Sequence, residues 1–322
     1  MKKASKNIIK TAAALTGATL GLCEVIYEGA LNRKLIEFMR KNQLFRDKEE
    51  QKYYDELPEM VMGLEWFDKV GVVPTATVSE DGKVDYSYIV RQENGSNLWA
   101  ICVHGYSSEP KYVGNLGKHY FEKGYNVILP CMHAHSLDQN KYCSMGYYDR
   151  YIVCEWIKYI VKENPEAKIL VHGISMGSAT TMLVTGEDIP ANVKCAVADC
   201  GYTTCWDEYE EQIGQMFHLP VYPFLPILNT MSQLRGNFNF KQCDPINAVS
   251  RSHTPTLFIH GEEDTFVPYR MLDRVYEACS AQKDKLSVPD AIHAVSSTVH
   301  PELYWPKVDE FTEKYMGVKV EA

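Results

Sequence analysis

The residues that could do covalent chemistry begin with Gly173-Ile174-Ser175-Met176-Gly177, which follows a short apolar run at 168–171 and precedes a helix-like stretch at 178–184. A serine raised on a sharp strand-to-helix turn needs glycines around it, because the backbone there is strained and the next helix packs too closely for a Cβ. Its hydroxyl is inert unless a base takes the proton and an acid orients the base. Both follow in the chain in the order serine, acid, histidine. His260-Gly261-Glu262-Glu263-Asp264 ends an apolar run at 256–259, the end of a strand at which open sheets build their active sites. Asp264 is the expected acid, Glu263 its alternative, and Glu262 a solvated turn charge. His293, just past a β-like run, is the expected base, with His300 the alternative.

Acyl transfer also needs two N–H groups aimed at the negative oxygen that develops on the carbonyl. Met176, the residue after the nucleophile, is expected to supply one. The other is expected from Tyr106, in the His104-Gly105-Tyr106 loop that follows an apolar run at 98–103. Two further features read as structural. Asp199 follows the run at 193–198 as a turn acid rather than a second triad member. His133 and His135 lack a third ligand, without which a metal binds weakly.

These side chains need a scaffold. Five apolar runs, at 98–103, 125–129, 168–171, 193–198 and 256–259, are bounded by turn residues, and uninterrupted apolar runs fit strands buried on both faces. Helical patterns alternate with them, most clearly at 148–161, where Ile152, Val153, Trp156, Ile157, Ile160 and Val161 form one stripe. The alternation predicts an α/β fold with a mostly parallel, doubly wound sheet. Ahead of it, 75–78 and 84–90 form a predicted hairpin turning at Asp81-Gly82, and 31–70 is helical in character with a break or start at Pro58. The stretch 205–243, rich in aromatics and proline, is too long for an ordinary loop and reads as a helical cap, whose apolar side chains either pack on the sheet or wall the space over Ser175.

Composition narrows the partners. The 322 residues are 45% hydrophobic and carry 33 Lys+Arg against 42 Asp+Glu, a net charge of −9, which gives no positive field for nucleic acid. Ten cysteines without metal-ligand spacing, among them Cys102, Cys154 and Cys195 in apolar runs, read as reduced buried thiols. Residues 1–30 form a basic and apolar segment: Lys2, Lys3, Lys6 and Lys10 precede an uncharged stretch at 11–23, shorter than the roughly 20 residues that a spanning helix needs. A helix associated with a membrane or docked on the protein is expected there, with a signal-anchor and then a cleaved signal as the alternatives, and residues 31–322 form the main domain. The expected location is the cytoplasm or the cytoplasmic face of a membrane.

Taken together, His104-Gly105-Tyr106, the pentapeptide around Ser175, Asp199-Cys200-Gly201-Tyr202, His260 to Asp264 with Val267-Pro268, and His293 resemble the α/β-hydrolase superfamily. The resemblance is to bacterial serine hydrolases of the serine aminopeptidase and prolyl-oligopeptidase-like groups, over about residues 75–316. It implies an α/β-hydrolase fold with a helical cap insertion, a Ser-His-Asp triad, and no metal or organic cofactor. It departs from those relatives at Pro130-Cys131-Met132-His133-Ala134-His135-Ser136, where they usually carry an Asp-x-Arg-Gly-His-Gly-x-Ser-like segment; His135 retains the histidine and the glycines are lost. The expected activity is that of a carboxylesterase on small or medium acyl esters. A peptidase or amidase of the same fold, or a non-catalytic scaffold, is the alternative.

Overall fold

The computed structural model describes residues 2–42, 44, 53–54, 56–79 and 82–318, with side chains in the first helix from residue 14 onward. Asp81 of the expected hairpin turn, and residues 43, 45–52 and 55 of the helical stretch, lie outside them.

The five apolar runs become β3 (Leu98–Val103), β4 (Asn126–Pro130), β5 (Lys168–Ile174), β6 (Val193–Asp199) and β7 (Thr256–Gly261). The hairpin forms β1 (Pro74–Val78) and β2 (Val84–Val90), and an edge strand, β8 (Lys283–Val288), completes an eight-stranded sheet in the order β1-β2-β4-β3-β5-β6-β7-β8. Only β2 runs antiparallel to its neighbours; the pairings from β4 through β8 are parallel. The start of β8 carries Lys283, Asp284 and Lys285, so its strand character shows in the sequence only at its end.

Successive side chains of a strand face opposite sides. In β3, Trp99, Ile101 and Val103 enter one core while Ala100 and Cys102 enter the other. Helices cover both. On the first side lie α5 (Asp149–Glu163), α6 (Met176–Thr185) and α10 (Arg270–Ala278); on the second lie α3 (Pro58–Val70), α4 (Gly114–Glu122) and α12 (Pro301–Met316). Pro58 opens α3, where its missing N–H costs nothing. Nine of the ten cysteines are buried, and all ten are free thiols.

The stretch after β6 folds into α7 (Cys205–Phe217) and α8 (Val221–Arg235), followed by a 3-10 turn, Phe240–Gln242. Phe224, Leu225, Leu228, Phe238 and Phe240 belong to the first core, so their part in this cap is packing, whereas Tyr222 is 71% exposed. Ahead of the sheet, α1 (Lys2–Leu31) is one continuous helix. Its last third docks, with Cys23, Ile26, Tyr27 and Leu31 in the first core, while Leu15, Leu20, Leu22 and Val25 are exposed. No helix among the described residues is long and apolar enough to cross a membrane.

Candidate active site

Strand register gathers the chemistry. Val103 pairs with Gly173, Ile174 with Asp199, and Asp199 with Ile259, so the carboxyl ends of β3, β5, β6 and β7 lie level. The loops that leave this edge carry Tyr106, Ser175, Cys200 and Asp264, and the loop after β8 adds His293.

Ser175 sits between β5 and α6 with φ 58° and ψ −121°, a conformation that side chains other than glycine rarely adopt. The turn is tight enough to dictate its neighbours. A Cβ on Gly173 would lie 2.0 Å from the carbonyl oxygen of Gly177, and one on Gly177 would lie 2.1 Å from that of Val103. Gly105 brings the loop after β3 against the serine, since a Cβ there would be 3.2 Å from the Ser175 Cβ.

The three residues singled out by their order meet in one hydrogen-bonded chain. Ser175 Oγ donates to His293 Nε2 at 2.8 Å, and His293 Nδ1 donates to Asp264 Oδ2 at 2.7 Å. The carboxylate is fixed from its other side, where Oδ1 accepts the backbone N–H groups of Phe266 and Val267 at 3.0 and 2.9 Å. Burial would raise the pKa of Asp264, but His293 and His260 outweigh it and hold the carboxyl at about 2. The acid is therefore ionised, and an ionised acid on Nδ1 leaves Nε2 free of its proton to accept from the serine. Phe266 lays its ring against the imidazole, 4.9 Å between centroids.

Met176 opens α6, so its N–H is among the first donors of the helix, which have no acceptor within it. The neighbouring His104 is fully buried, and desolvation lowers its pKa to about 3, so it is neutral. The alternatives lie elsewhere. Glu262 and Glu263 are exposed turn residues, and His300 pairs with Glu302 at 2.8 Å.

At the segment that departs from the resemblance, Ala134 and Ser136 take positive φ, 58° and 51°, where glycine would be at ease. Asp138 and Asp149 hold that loop through the N–H groups of Ala134 and His133, at 2.7 and 2.9 Å. His135 uses both ring nitrogens: Nδ1 donates to the carbonyl of His133 at 2.8 Å and Nε2 accepts the N–H of Ser107 at 3.1 Å. It is a loop fastener, which leaves no free nitrogen to pair with His133 on a metal. Among the described residues, metal-ligating atoms gather at Cys200, Asp264 and His293, within 4.8 Å of one another, but two of the three already bond each other.

Asp199 is a buried neighbour of the triad. Its Oδ2 accepts from the Tyr304 hydroxyl at 2.9 Å, the last step of a chain in which Tyr120 donates to His172 at 2.8 Å and His172 to Tyr304 at 3.0 Å. Desolvation raises its pKa to about 6, and its Oδ1 has no partner.

Two contacts carry no signal in sequence. His260 Nε2 lies 2.8 Å from the Val267 carbonyl and 3.2 Å from Asp264 Oδ2, so one N–H is shared between the loop and the acid. The Tyr54 hydroxyl donates to the carbonyl of His293 at 2.8 Å. The histidine stands in the motif that ends β7, but its partner depends on how the loop folds back; Tyr54 lies 239 positions from His293.

Known proteins share this architecture. The Pyrococcus furiosus esterase Pf2001 superposes with a TM-score of 0.62 at 22% identity, over 78% of this chain and 95% of the esterase. The Pyrococcus horikoshii acylaminoacyl peptidase superposes with a TM-score of 0.57 at 18% identity, over 80% of this chain but 44% of the peptidase. In sequence, the uncharacterized protein YqkD of Bacillus subtilis is 28% identical over 196 residues, which are 60% of this chain and 64% of that protein. The chain thus spans a little under two thirds of that relative. Residues 153–319, just over half of the chain, match the prolyl oligopeptidase family and include Ser175, Asp264 and His293. The chain therefore belongs to the prolyl oligopeptidase family and has the α/β-hydrolase fold.

Proposed function

We propose that the protein is a carboxylesterase acting on small or medium acyl esters. The observation that carries the reading is the unbroken chain from Ser175 Oγ through His293 to an ionised Asp264. Ser175 attacks the ester carbonyl while His293 Nε2 takes its proton. The N–H groups of Met176 and Tyr106 receive the oxyanion. Collapse of the tetrahedral intermediate expels the alcohol, which leaves with the proton from His293. Water, deprotonated by the same nitrogen, then hydrolyses the acyl-enzyme and restores the serine. Asp264 keeps the imidazole in the tautomer that both half-reactions need.

Preference for esters over amides draws support from the likeness to the Pyrococcus furiosus esterase, which extends over 95% of that protein against 44% of the acylaminoacyl peptidase. The family's name and that second likeness favour a peptidase or amidase as the other reading. The partner that fits is a small-molecule ester or amide, and no nucleic acid. The location proposed is the cytoplasm or the cytoplasmic face of a membrane, touched through residues 1–30. The four lysines among the first ten residues and the exposed Leu15, Leu20, Leu22 and Val25 of α1 suit an anionic lipid surface on which the helix lies without crossing it.

Labelling with a fluorophosphonate probe tests the reaction: wild type labels, Ser175→Ala does not, and His293→Ala labels far more slowly. The enzyme is then compared on p-nitrophenyl esters of graded length and on matching anilides. A higher kcat/KM on the anilides overturns the ester preference, and folded wild type that never labels leaves a non-catalytic scaffold.

A further inference from the structure

The chain ahead of the sheet reaches the active site at two points. The hydroxyl of Tyr106 donates to the carbonyl of Ala30 at 2.7 Å, in the last turn of α1, where the final carbonyls of a helix lack partners of their own. The hydroxyl of Tyr54 donates to the carbonyl of His293 at 2.8 Å. One contact grips the loop beside the nucleophile, the other the residue that carries the base.

That end of α1 is itself firmly held. Arg235 of α8 bonds both carboxylate oxygens of Glu24, at 2.8 and 2.7 Å, and reaches Glu28 at 3.2 Å. The Tyr142 hydroxyl donates to Glu28 at 2.7 Å. At the end of the helix and just past it, the backbone of Leu31 bonds that of Cys143 at 2.8 Å and the backbone of Arg33 that of Lys141 at 2.9 Å. Tyr106 is thus fixed through its side chain to an anchored helix, while His135 holds the N–H of the next residue, Ser107, at 3.1 Å.

We infer that the N-terminal segment positions the catalytic apparatus: the last turn of α1 sets the oxyanion loop through the Tyr106 hydroxyl, and Tyr54 sets the loop of His293. The inference rests on the reaction proposed above. Both hydroxyls are positioning groups that touch no reacting atom: that of Tyr106 sets the residue's own backbone N–H, and that of Tyr54 sets His293 through its carbonyl. A donor displaced by a fraction of an ångström binds the ground state almost as before but the tetrahedral oxyanion less well. Purely structural loss instead lowers the amount of folded enzyme and leaves each surviving molecule unchanged.

Tyr106→Phe and Tyr54→Phe each remove one hydroxyl and keep the ring. The readouts are kcat, KM and the inhibition constant of an alkylboronic acid, whose serine adduct is tetrahedral, on active-site-titrated enzyme. For Tyr106→Phe, kcat is expected to fall about tenfold and the boronate to bind about tenfold more weakly, with KM within about twofold. Tyr54→Phe is expected to lower kcat by about threefold, and it decides the matter should Tyr106→Phe fail to fold. Wild type that does not label at Ser175 overturns the proposed reaction. Wild type that labels, with kcat and boronate affinity unchanged in both variants, overturns this inference alone.

Discussion

Asp264→Asn gives the sharpest test of the triad, because the structure dictates how the amide must sit. Asp264 Oδ1 accepts two backbone N–H groups, from Phe266 and Val267, so in the variant this position keeps the carbonyl oxygen. The amide nitrogen then takes the place of Oδ2, 2.7 Å from His293 Nδ1. An NH2 there donates, so Nδ1 must accept, the ring proton moves to Nε2, and Nε2 no longer accepts from Ser175. The His260 N–H keeps an acceptor in the Val267 carbonyl at 2.8 Å, so nothing turns the amide round. Holding the base in the wrong tautomer costs about 10⁴ in kcat, or about 5.5 kcal/mol of transition-state stabilisation. The assay is kcat on a p-nitrophenyl ester at neutral pH, with Glu263→Gln as the control, expected within about twofold of wild type because Glu263 is exposed. A stability signature accompanies the kinetics. The Asp264 carboxyl, held at about 2, contributes about 2 kcal/mol to folding above roughly pH 4, and this is lost as pH falls through about 2. The melting-temperature gap between wild type and Asp264→Asn therefore narrows across that window. An Asp264→Asn enzyme with kcat within tenfold of wild type would refute the argument.

Asp199 has the opposite sign. Its carboxyl, raised to about 6 by burial, gives stability that is present below roughly pH 4 and lost as pH rises through about 6, a loss of about 3 kcal/mol that an uncharged Asn escapes. The melting temperature of Asp199→Asn relative to wild type should therefore rise between pH 4 and 6 and level off above; a difference independent of pH would discard this account. At the other end of the chain, deleting residues 1–13 removes Lys2, Lys3, Lys6 and Lys10 but leaves the docked third of α1 in place. With about 1 kcal/mol per lysine at an anionic surface, full-length protein should co-sediment with phosphatidylserine-containing vesicles and not with phosphatidylcholine vesicles, and the deletion should abolish it. Equal sedimentation of the two proteins would end the membrane proposal.

The central strands and the Ser175 turn were legible in the sequence because their causes are local. A strand buried on both faces must be apolar throughout, as at 98–103 and 256–259, and a strained turn packed against its own helix admits only glycine at 173 and 177. The order serine, acid, histidine singled out Asp264 and His293 because each follows a strand whose carboxyl end faces one edge of the sheet. Edge strand β8, solvated on its charged side chains, lacks that signature at its start.

The partners of the side chains were decided by the tertiary structure alone. The bond of Tyr106 to Ala30 and that of Tyr54 to His293 join segments far apart in the chain, where spacing holds no information about distance. The same is true of α1. Its composition marks a basic, partly apolar helix, but whether its last third leaves the protein or completes the core depends on Arg235, 211 positions from Glu24, and on an apolar face that only the folded sheet and cap assemble. Sequence states which groups can do chemistry and which local backbones can present them; burial and hydrogen-bond partners arise between distant segments, and those set the protonation state of Asp264 and the tautomer of His293.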